Sequence, residues 1–284
     1  MATRRQTAKT DTPAEENELF FKSINPTGST SVFFLYGVLS CHLEWEHVTP
    51  YLSQDYHLVL VDVNGHSNSS NILPTNLPAS TESVANLIRH HAHGGKAHVV
   101  GLSMGGFIAL ELARCHPELV HSVFATGAHP FGGIYRWLSL RPTIIWILLL
   151  LLHSMPDRLY WWMASSYGMA KHEALRAEMT KNRTLTTVRD NYTSILDFDW
   201  DKVRDIHVRT AVVAGGLQDD VEATRKMGPL LHDGGSEESR VFVVAGAVHA
   251  WNLQFPETFA SGIRAWIERR EMPAEYEELC ANSE

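Results

Sequence analysis

The 284-residue sequence has few cysteines and no hydrophobic run long enough to cross a membrane. Its three cysteines, Cys41, Cys115 and Cys280, are far apart and form no metal-binding or redox motif. This usage favours a reducing compartment, so we expect a cytoplasmic protein. The longest apolar stretch lies between Arg141 and His153. It is shorter than the ~18 to 20 residues that a spanning helix needs, so we predict no stable membrane span.

Positive charge and cofactor motifs are scarce as well. The sequence has 24 Lys and Arg residues against 32 Asp and Glu residues, a formal net charge of −8. This balance argues against a nucleic acid or an anionic membrane as a partner. There is no P-loop sequence and no dinucleotide fingerprint. His90, His91 and His93 lack a carboxylate or cysteine to complete a metal site, so we predict neither a metal nor a cofactor.

The residues that are present suit one large domain with a parallel sheet. Hydrophobic residues make up 44% of the chain, which is ample for a core. Apolar strands alternate with helical patterns, which predicts an α/β fold with a doubly wound, mostly parallel sheet. We predict that the core comprises residues 17–129 and 204–272. Residues 1–16 are expected to be a disordered N-terminal tail and residues 273–284 a C-terminal tail.

Residues 130–203 interrupt the alternation because they contain no convincing strand. Helical patterns cover the segment, which also holds five of the eight tryptophans. We predict a helical cap over the carboxyl edge of the sheet, inserted after the sixth strand, with an apolar face that lines a pocket. Trp137 and Trp146 are our candidates for substrate contact. Peripheral contact between this cap and a lipid surface is left open.

The stretch 98–106, HVVGLSMGG, organises the chain around Ser103. A serine with glycines two residues before and after it, between a strand and a helix, is typical of a nucleophile elbow. The chain must turn there within a few residues, which strains the serine and requires small neighbours. The sequence therefore predicts that the Ser103 hydroxyl is presented at the end of a strand.

An acid and a base follow two later strands. Asp219 and Asp220 come just after the strand predicted at 208–214, and either could orient a base. Asp219 is our first choice. His249 follows the last predicted strand, 240–245, and an imidazole can take and return a proton near neutral pH. Serine, aspartate and histidine in this chain order are associated with one fold.

The loop after the strand at 31–36 is placed to form half of an oxyanion hole. Our candidate donors are the backbone N–H groups of Val38 and Met104, the latter directly after the nucleophile. We also assign Gly37, Leu39 and, beyond the base, Trp251 to substrate binding.

These motifs resemble those of the α/β-hydrolase superfamily, and in part those of small intracellular hydrolases of fungi. The resemblance covers about residues 19–127 and 205–270. It depends on Tyr36-Gly37, Asp62-Val63-Asn64-Gly65-His66, Gly101-Leu102-Ser103-Met104-Gly105-Gly106, Gly216 with Asp219, and Gly246-Ala247-Val248-His249. It implies a cofactor-free serine hydrolase with a Ser-Asp-His triad. Tyr36 stands where the family commonly has histidine, and Ser67 replaces a common glycine.

The sequence thus predicts acyl transfer to water from an ester, lactone or thioester of a largely apolar small molecule, through an acyl-enzyme on Ser103. Two alternatives stay open. The same residues could cleave a C–C bond of a diketone, or the fold could serve as a non-catalytic ligand-binding protein. A homodimer is compatible with the sequence.

Overall fold

The computed structural model describes residues 18–280, which form a single eight-stranded sheet with flanking helices. The spatial order of the strands is β1-β3-β2-β4-β5-β6-β7-β8. The strands are β1 Phe21–Ile24, β2 Ser31–Leu35, β3 His57–Val61, β4 Ala97–Leu102, β5 Val120–Thr126, β6 Thr210–Gly215, β7 Arg240–Val244 and β8 Glu277–Glu278. Strands β2 to β7 are parallel to one another, whereas β1 and β8 pair antiparallel at the two edges.

Ten α-helices connect and cover these strands in the described part of the chain. They are α1 Leu77–His91, α2 Met104–Cys115, α3 Gly133–Ser139, α4 Pro142–His153, α5 Asp157–Ser166, α6 Glu173–Asn182, α7 Leu185–Leu196, α8 Val221–Arg225, α9 Met227–Asp233 and α10 Pro256–Ile267. The predicted α/β fold with a mostly parallel sheet is confirmed. Strands β2, β3 and β6 are buried along their whole length, which explains why they appear in the sequence as continuous apolar runs.

The five helices α3 to α7 form the cap, and its position corrects one prediction. They lie between β5 and β6, so the insertion follows the fifth strand and not the sixth. Only one antiparallel strand, β1, precedes the first parallel strand, β2. The count of strands before the cap is therefore one lower than expected.

The prediction of a C-terminal tail at 273–284 is wrong for the residues that the structure describes. Tyr276 and Leu279 are buried, and between them β8 extends the sheet beside β7. The Tyr276 hydroxyl donates to the carbonyl of Thr258 in α10 at 3.0 Å. Apolar burial and this hydrogen bond hold the segment on the core. The predicted tail at 1–16 and residues 281–284 lie outside the described residues.

Candidate active site

Ser103 lies at the sharp turn between β4 and α2, as the sequence predicts. Its φ angle is +53°, a conformation that costs a non-glycine residue of order 1–3 kcal/mol. A Cβ atom on Gly101 would lie 2.2 Å from the carbonyl oxygen of Gly105. A Cβ on Gly105 would lie 2.1 Å from the carbonyl oxygen of Leu35. The two flanking glycines are therefore required because backbone segments cross here without room for a side chain.

Asp219 and His249 meet at the ends of β6 and β7. The Nδ1 atom of His249 lies 2.5 Å from Oδ1 of Asp219. The other Asp219 oxygen accepts the backbone N–H of Gly215 at 2.7 Å, and the side chain is 1% exposed. Asp220 instead caps α8 by accepting the N–H of Ala223 at 2.9 Å. The structure therefore places Asp219, and not the alternate Asp220, against the imidazole.

Asp219 and His249 shift each other's pKa in opposite directions. Burial alone raises the pKa of Asp219, but the His249 charge and the accepted hydrogen bonds outweigh it and hold that pKa well below its usual value. Burial alone lowers the pKa of His249, but the charge and hydrogen bond of Asp219, followed by the charge of Glu44, raise it above its usual value. Asp219 is thus ionised at neutral pH, and His249 is a stronger base than a free imidazole.

The loop after β5 makes room for the imidazole. Gly127 has a φ of +62°, and a Cβ there would lie 2.6 Å from Cε1 of His249. Trp251, two residues after the histidine, anchors the loop from below by donating its indole N–H to the Thr126 hydroxyl at 2.9 Å. Trp251 is fully buried against Phe259 and does not line the cavity, so its assignment to substrate binding is wrong.

Ser103 and His249 line one cavity of about 230 Å³ between the sheet and the cap. No hydrogen bond joins these two described side chains, although such bonds often tighten only when substrate is bound. The wall is mainly apolar and aromatic: Val38, Leu102, Tyr160, Trp161, Ala164, Met169, Leu175, Met179, Tyr192 and Leu253. A larger groove of about 560 Å³ lies on the surface beside α7 and contains none of the three predicted catalytic residues.

Of the two residues predicted to supply oxyanion donors, Met104 directly follows Ser103, and Val38 lines the same cavity as Ser103. None of the described hydrogen bonds uses the backbone N–H of Val38 or of Met104. Gly37 lines the cavity as expected, and a Cβ there would lie 3.4 Å from Cβ of Ser103. Leu39 does not line it. Its side chain is 2% exposed and packs with Ile145 of α4, so it supports the loop instead of contacting substrate.

The loop at 37–40 carries the predicted donor of Val38, and we call it the oxyanion loop. A neutral histidine, which sequence reasoning missed, holds this loop. Leu39 has a φ of +71°, and its N–H donates to Nε2 of His66 at 3.3 Å. Because Nδ1 of His66 lies 2.9 Å from the carbonyl oxygen of Asn64, Nδ1 must carry the proton. Burial lowers the pKa of His66 to about 4, so this donor and acceptor pattern persists at neutral pH.

Asn182, at the end of α6, ties the cap to the same loop. Its amide nitrogen lies 2.9 Å from the carbonyl oxygens of Leu39 and Ser40 and from the Ser67 hydroxyl. Its amide oxygen accepts the Ser67 N–H at 2.7 Å. The serine that departs from the family pattern at position 67 is therefore a partner of the cap. No feature of the local sequence indicates this contact.

The cap residues in the cavity differ from those predicted. Trp137 is 45% exposed on α3 and lies away from the cavity. Trp146 packs beside Leu39 and donates its indole N–H to the carbonyl of Arg183 at 3.3 Å. The aromatic side chains that do line the cavity are Tyr160, Trp161 and Tyr192. The segment supplies aromatics as expected, but the rotation of each helix about its axis decides which of them face the cavity.

A buried carboxylate, Glu44, also lines the cavity and was not anticipated. It is 4% exposed, and Oε2 accepts the backbone N–H of Gly37 at 3.4 Å. Burial raises its pKa above the usual glutamate value. Its negative charge contributes to the raised pKa of His249, so Glu44 acts on this imidazole in addition to Asp219.

One cluster has the composition of a metal site. The ligand atoms of Cys41, His42 and Asp62 lie within 4.8 Å of one another. The Asp62 carboxylate already accepts the backbone N–H of His42 and the side-chain amide of Asn68, each at 2.8 Å. Asp62 thus holds the neighbouring turns through protein donors. These contacts already engage both carboxylate oxygens.

The site combines a strained serine with an Asp-His pair and two N–H donors that no described hydrogen bond uses, and it lies under a helical cap. These features define an α/β protein with a serine-centred site. Residues 30–151 match the family model described as "alpha/beta hydrolase fold". Over 94% of its length the chain is 30% identical to an "AB hydrolase superfamily protein" of Gibberella zeae, of which it covers 90%. The chain therefore belongs to the α/β-hydrolase superfamily and is a hydrolase of that family.

Other similarities are partial or concern the fold alone. Over 36% of this chain and 39% of the relative, it is 31% identical to the "pimeloyl-[acyl-carrier protein] methyl ester esterase" of Aeromonas hydrophila. A thermophilic esterase from Thermogutta terrifontis superposes with a TM-score of 0.67 at 19% identity, with 94% of this chain and 99% of that one covered. MenH from S. aureus gives a TM-score of 0.64 at 16% identity, with 89% and 98% covered.

Proposed function

We propose that the protein is a serine hydrolase that cleaves an ester, lactone or thioester of a largely apolar small molecule. The observation that carries this proposal is the 2.5 Å contact of Asp219 with His249, which lines the same cavity as Ser103. A buried aspartate paired with one imidazole nitrogen orients the other nitrogen and stabilises the imidazolium.

The first half of the reaction acylates Ser103. Nε2 of His249 takes the hydroxyl proton while the serine oxygen attacks the carbonyl carbon of the substrate. Nδ1–H of His249 donates to Asp219 throughout, so the imidazolium that forms faces a carboxylate. The negative charge that develops on the carbonyl oxygen is received by the N–H groups of Val38 and Met104. One such donor contributes about 3 kcal/mol of transition-state stabilisation.

Acylation ends when the imidazolium of His249 gives its proton to the leaving alcohol or thiol and the acyl group stays on Ser103. The second half then releases the acid. A water molecule then loses a proton to Nε2 and attacks the acyl carbon at the same oxyanion donors. Collapse of this second intermediate returns the proton to Ser103 and frees the carboxylic acid.

The lining of the cavity argues for an apolar acyl group of limited size. Tyr160, Trp161 and Tyr192 supply aromatic wall, and the cavity holds about 230 Å³. Cavities for drug-sized ligands are usually larger, at roughly 300–1,000 Å³. We therefore expect short and medium acyl chains to be preferred over long ones. The partial similarity to a methyl ester esterase supports an ester as the first substrate to test.

A panel of p-nitrophenyl esters from acetate to dodecanoate, with a cleavable diketone beside it, tests the proposal. The wild type should hydrolyse the short and medium esters, and Ser103→Ala should lose the activity by at least about 10⁴-fold. Cleavage of the diketone without the esters would identify a C–C bond hydrolase instead. Binding of a ligand with no turnover of any substrate would leave a non-catalytic protein.

A further inference from the structure

The outer surface of the cap carries an unusual amount of exposed apolar side chain. We define the outer cap face by eight residues between 37% and 62% exposed: Ile134, Tyr135, Trp137, Leu140, Ile144, Ile147, Leu148 and Leu151. They belong to two consecutive helices, α3 and α4, and to the turn between them. Soluble proteins rarely leave so large a contiguous set uncovered, so this face is a candidate for an interaction surface.

Helix α4 shows the pattern most clearly. Its exposed residues Ile144, Ile147, Leu148 and Leu151 follow the spacing of one helical face, where a surface helix normally carries polar residues. Its opposite face is also apolar, because Ile145 is buried in a cluster with Leu39 and Val188. The protein therefore covers one apolar side of α4 and leaves the other uncovered.

The dimensions of these helices suit a position along a membrane surface. In the described chain no single helix is long and apolar enough to span a membrane. Helices α3 and α4 pass the length and composition test only as a pair, and they bend by 96° at the break. Two short apolar helices with tryptophan and tyrosine among them are suited to the boundary between headgroups and acyl chains.

The local charge points to the chemistry of the partner. Residues 130–172 contain four Arg or Lys residues and a single Asp, in a chain with a net charge of −8. Arg136, Arg141 and Arg158 are exposed, and no described carboxylate forms an ion pair with them. The Arg141 guanidinium lies over the Trp137 ring, 4.2 Å from its centroid. The whole-chain charge that disfavours an anionic membrane thus does not describe this segment, which includes the outer cap face.

We propose that the outer cap face docks onto the surface of an anionic lipid bilayer. Its apolar side chains would enter the boundary region. Arg136 of α3 and Arg141 of the turn before α4 would lie among the acidic headgroups. A second copy of this chain is the competing partner for an apolar face. A two-fold interface would place the unpaired arginines of both copies in one contact area where no described carboxylate pairs with them, which is unfavourable. The charge pattern therefore favours lipid.

Helix α5, which follows α4 in the chain, exposes apolar side chains and also lines the catalytic cavity. Tyr160 and Trp161 line the cavity from α5, whereas Leu159 and Trp162 of the same helix are 47% and 68% exposed. The cavity wall and the exposed residues are thus separated by one helix, about 10 Å in diameter. This placement does not depend on which bond the enzyme cleaves.

Vesicle flotation with the full chain tests the proposal. At low salt the wild type should float with phosphatidylcholine vesicles that contain about 30% phosphatidylserine, and less with phosphatidylcholine alone. Leu148→Glu should weaken this binding at least tenfold. Leu73→Glu is the matched control, because Leu73 is 68% exposed but lies outside the cap, and it should bind as the wild type does. Reactivity with a fluorophosphonate reports that each variant is folded.

Charge variants separate lipid docking from the alternatives. Arg136→Gln with Arg141→Gln should reduce binding to the anionic vesicles by roughly tenfold or more, whereas Arg204→Gln with Lys226→Gln should not. Failure of the wild type to float with anionic vesicles would overturn the proposal, as would equal binding to both vesicle types. A wild-type dimer that Leu148→Glu dissociates, without vesicle binding by either protein, would assign the face to a second copy.

Discussion

Functional residues are held by different means in two regions of the molecule. One region is the carboxyl edge of the sheet, which we call the rim, and the other is the cap. At the rim, close backbone approaches and short hydrogen bonds position Ser103, Asp219 and His249 at the ends of strands. In the cap, side-chain packing of short helices decides what faces the cavity, and one polar residue, Asn182, links that packing to the oxyanion loop. In the proposed function the rim therefore supplies the chemistry, and the cap supplies the choice of substrate.

The largest effect expected at the rim comes from the acid. Asp219→Asn should lower kcat/KM by about 10⁴-fold, because the amide no longer stabilises the imidazolium and favours the wrong tautomer. Asp220→Asn is the matched control and should retain activity within about threefold, since asparagine also caps helices well. Steady-state kinetics on one ester would measure both. The reverse ranking would show that Asp220 is the acid.

Because the backbone is more crowded at the rim, replacing a glycine there should lower the free energy of unfolding more than replacing one in the cap. Gly105→Ala places a methyl group 2.1 Å from a carbonyl oxygen, and we expect it to lower the free energy of unfolding by about 3 kcal/mol or more. Gly133→Ala in the cap meets no atom within 4 Å and should cost only about 1 kcal/mol, from its φ of +49°. Urea denaturation measures both; similar losses would contradict the contrast.

The hydrogen bonds of Asn182 connect the cap to the rim, and a substitution at this residue removes them. Asn182→Ala leaves buried polar groups of the oxyanion loop unpaired, and we expect kcat to fall about tenfold with KM changed less. Asn191→Ala removes an equally buried asparagine of α7 that bonds to Thr187 and Thr75, and it should lower stability without this loss of kcat. A loss confined to KM in Asn182→Ala would mean that the residue only shapes the cap.

Substrate choice should respond to one tryptophan of the cap and not to another. Trp161→Ala enlarges the cavity and should shift the preferred ester towards longer acyl chains by about tenfold in relative kcat/KM. Trp137→Ala, on the outer cap face, should leave the preference unchanged. The ester panel measures both, and an equal shift in the two variants would mean that the cap arrangement differs during turnover.

The smallest effect concerns the pH profile. The base must be neutral, so kcat/KM should rise with pH through the raised pKa of His249. The Glu44 charge contributes to that elevation, so Glu44→Gln should move the acid limb to lower pH. Glu82→Gln, far from the cavity, is the control. A limb that stays in place, or moves to higher pH, would remove Glu44 from the electrostatics of the base.

The same contrast explains how much could be predicted from the sequence. The strand-turn-helix pattern around Ser103 predicts the elbow because the required glycines are adjacent in the chain. The positions of Asp219 and His249 follow from their places after strands, although only the structure separates Asp219 from Asp220.

The contacts of the cap depend on docking between distant segments. Helix α4 is apolar on every side, so its sequence does not indicate which side faces inward. The sequence of α4 therefore cannot show that Trp146 faces away from the cavity, which Trp161 of α5 and Tyr192 of α7 line instead. The roles of Glu44, His66 and Asn182 could not be predicted, because residues far away in the chain bury them.

Intact-protein mass spectrometry with peptide mapping after reaction with a fluorophosphonate tests the central claim most directly. The account predicts one adduct on the wild type, mapped to Ser103, and none on Ser103→Ala. It also predicts adduct formation that speeds up as the pH rises through the pKa of His249. A wild type that stays unmodified, or carries its adduct on another residue, would contradict the assignment of Ser103 as the nucleophile.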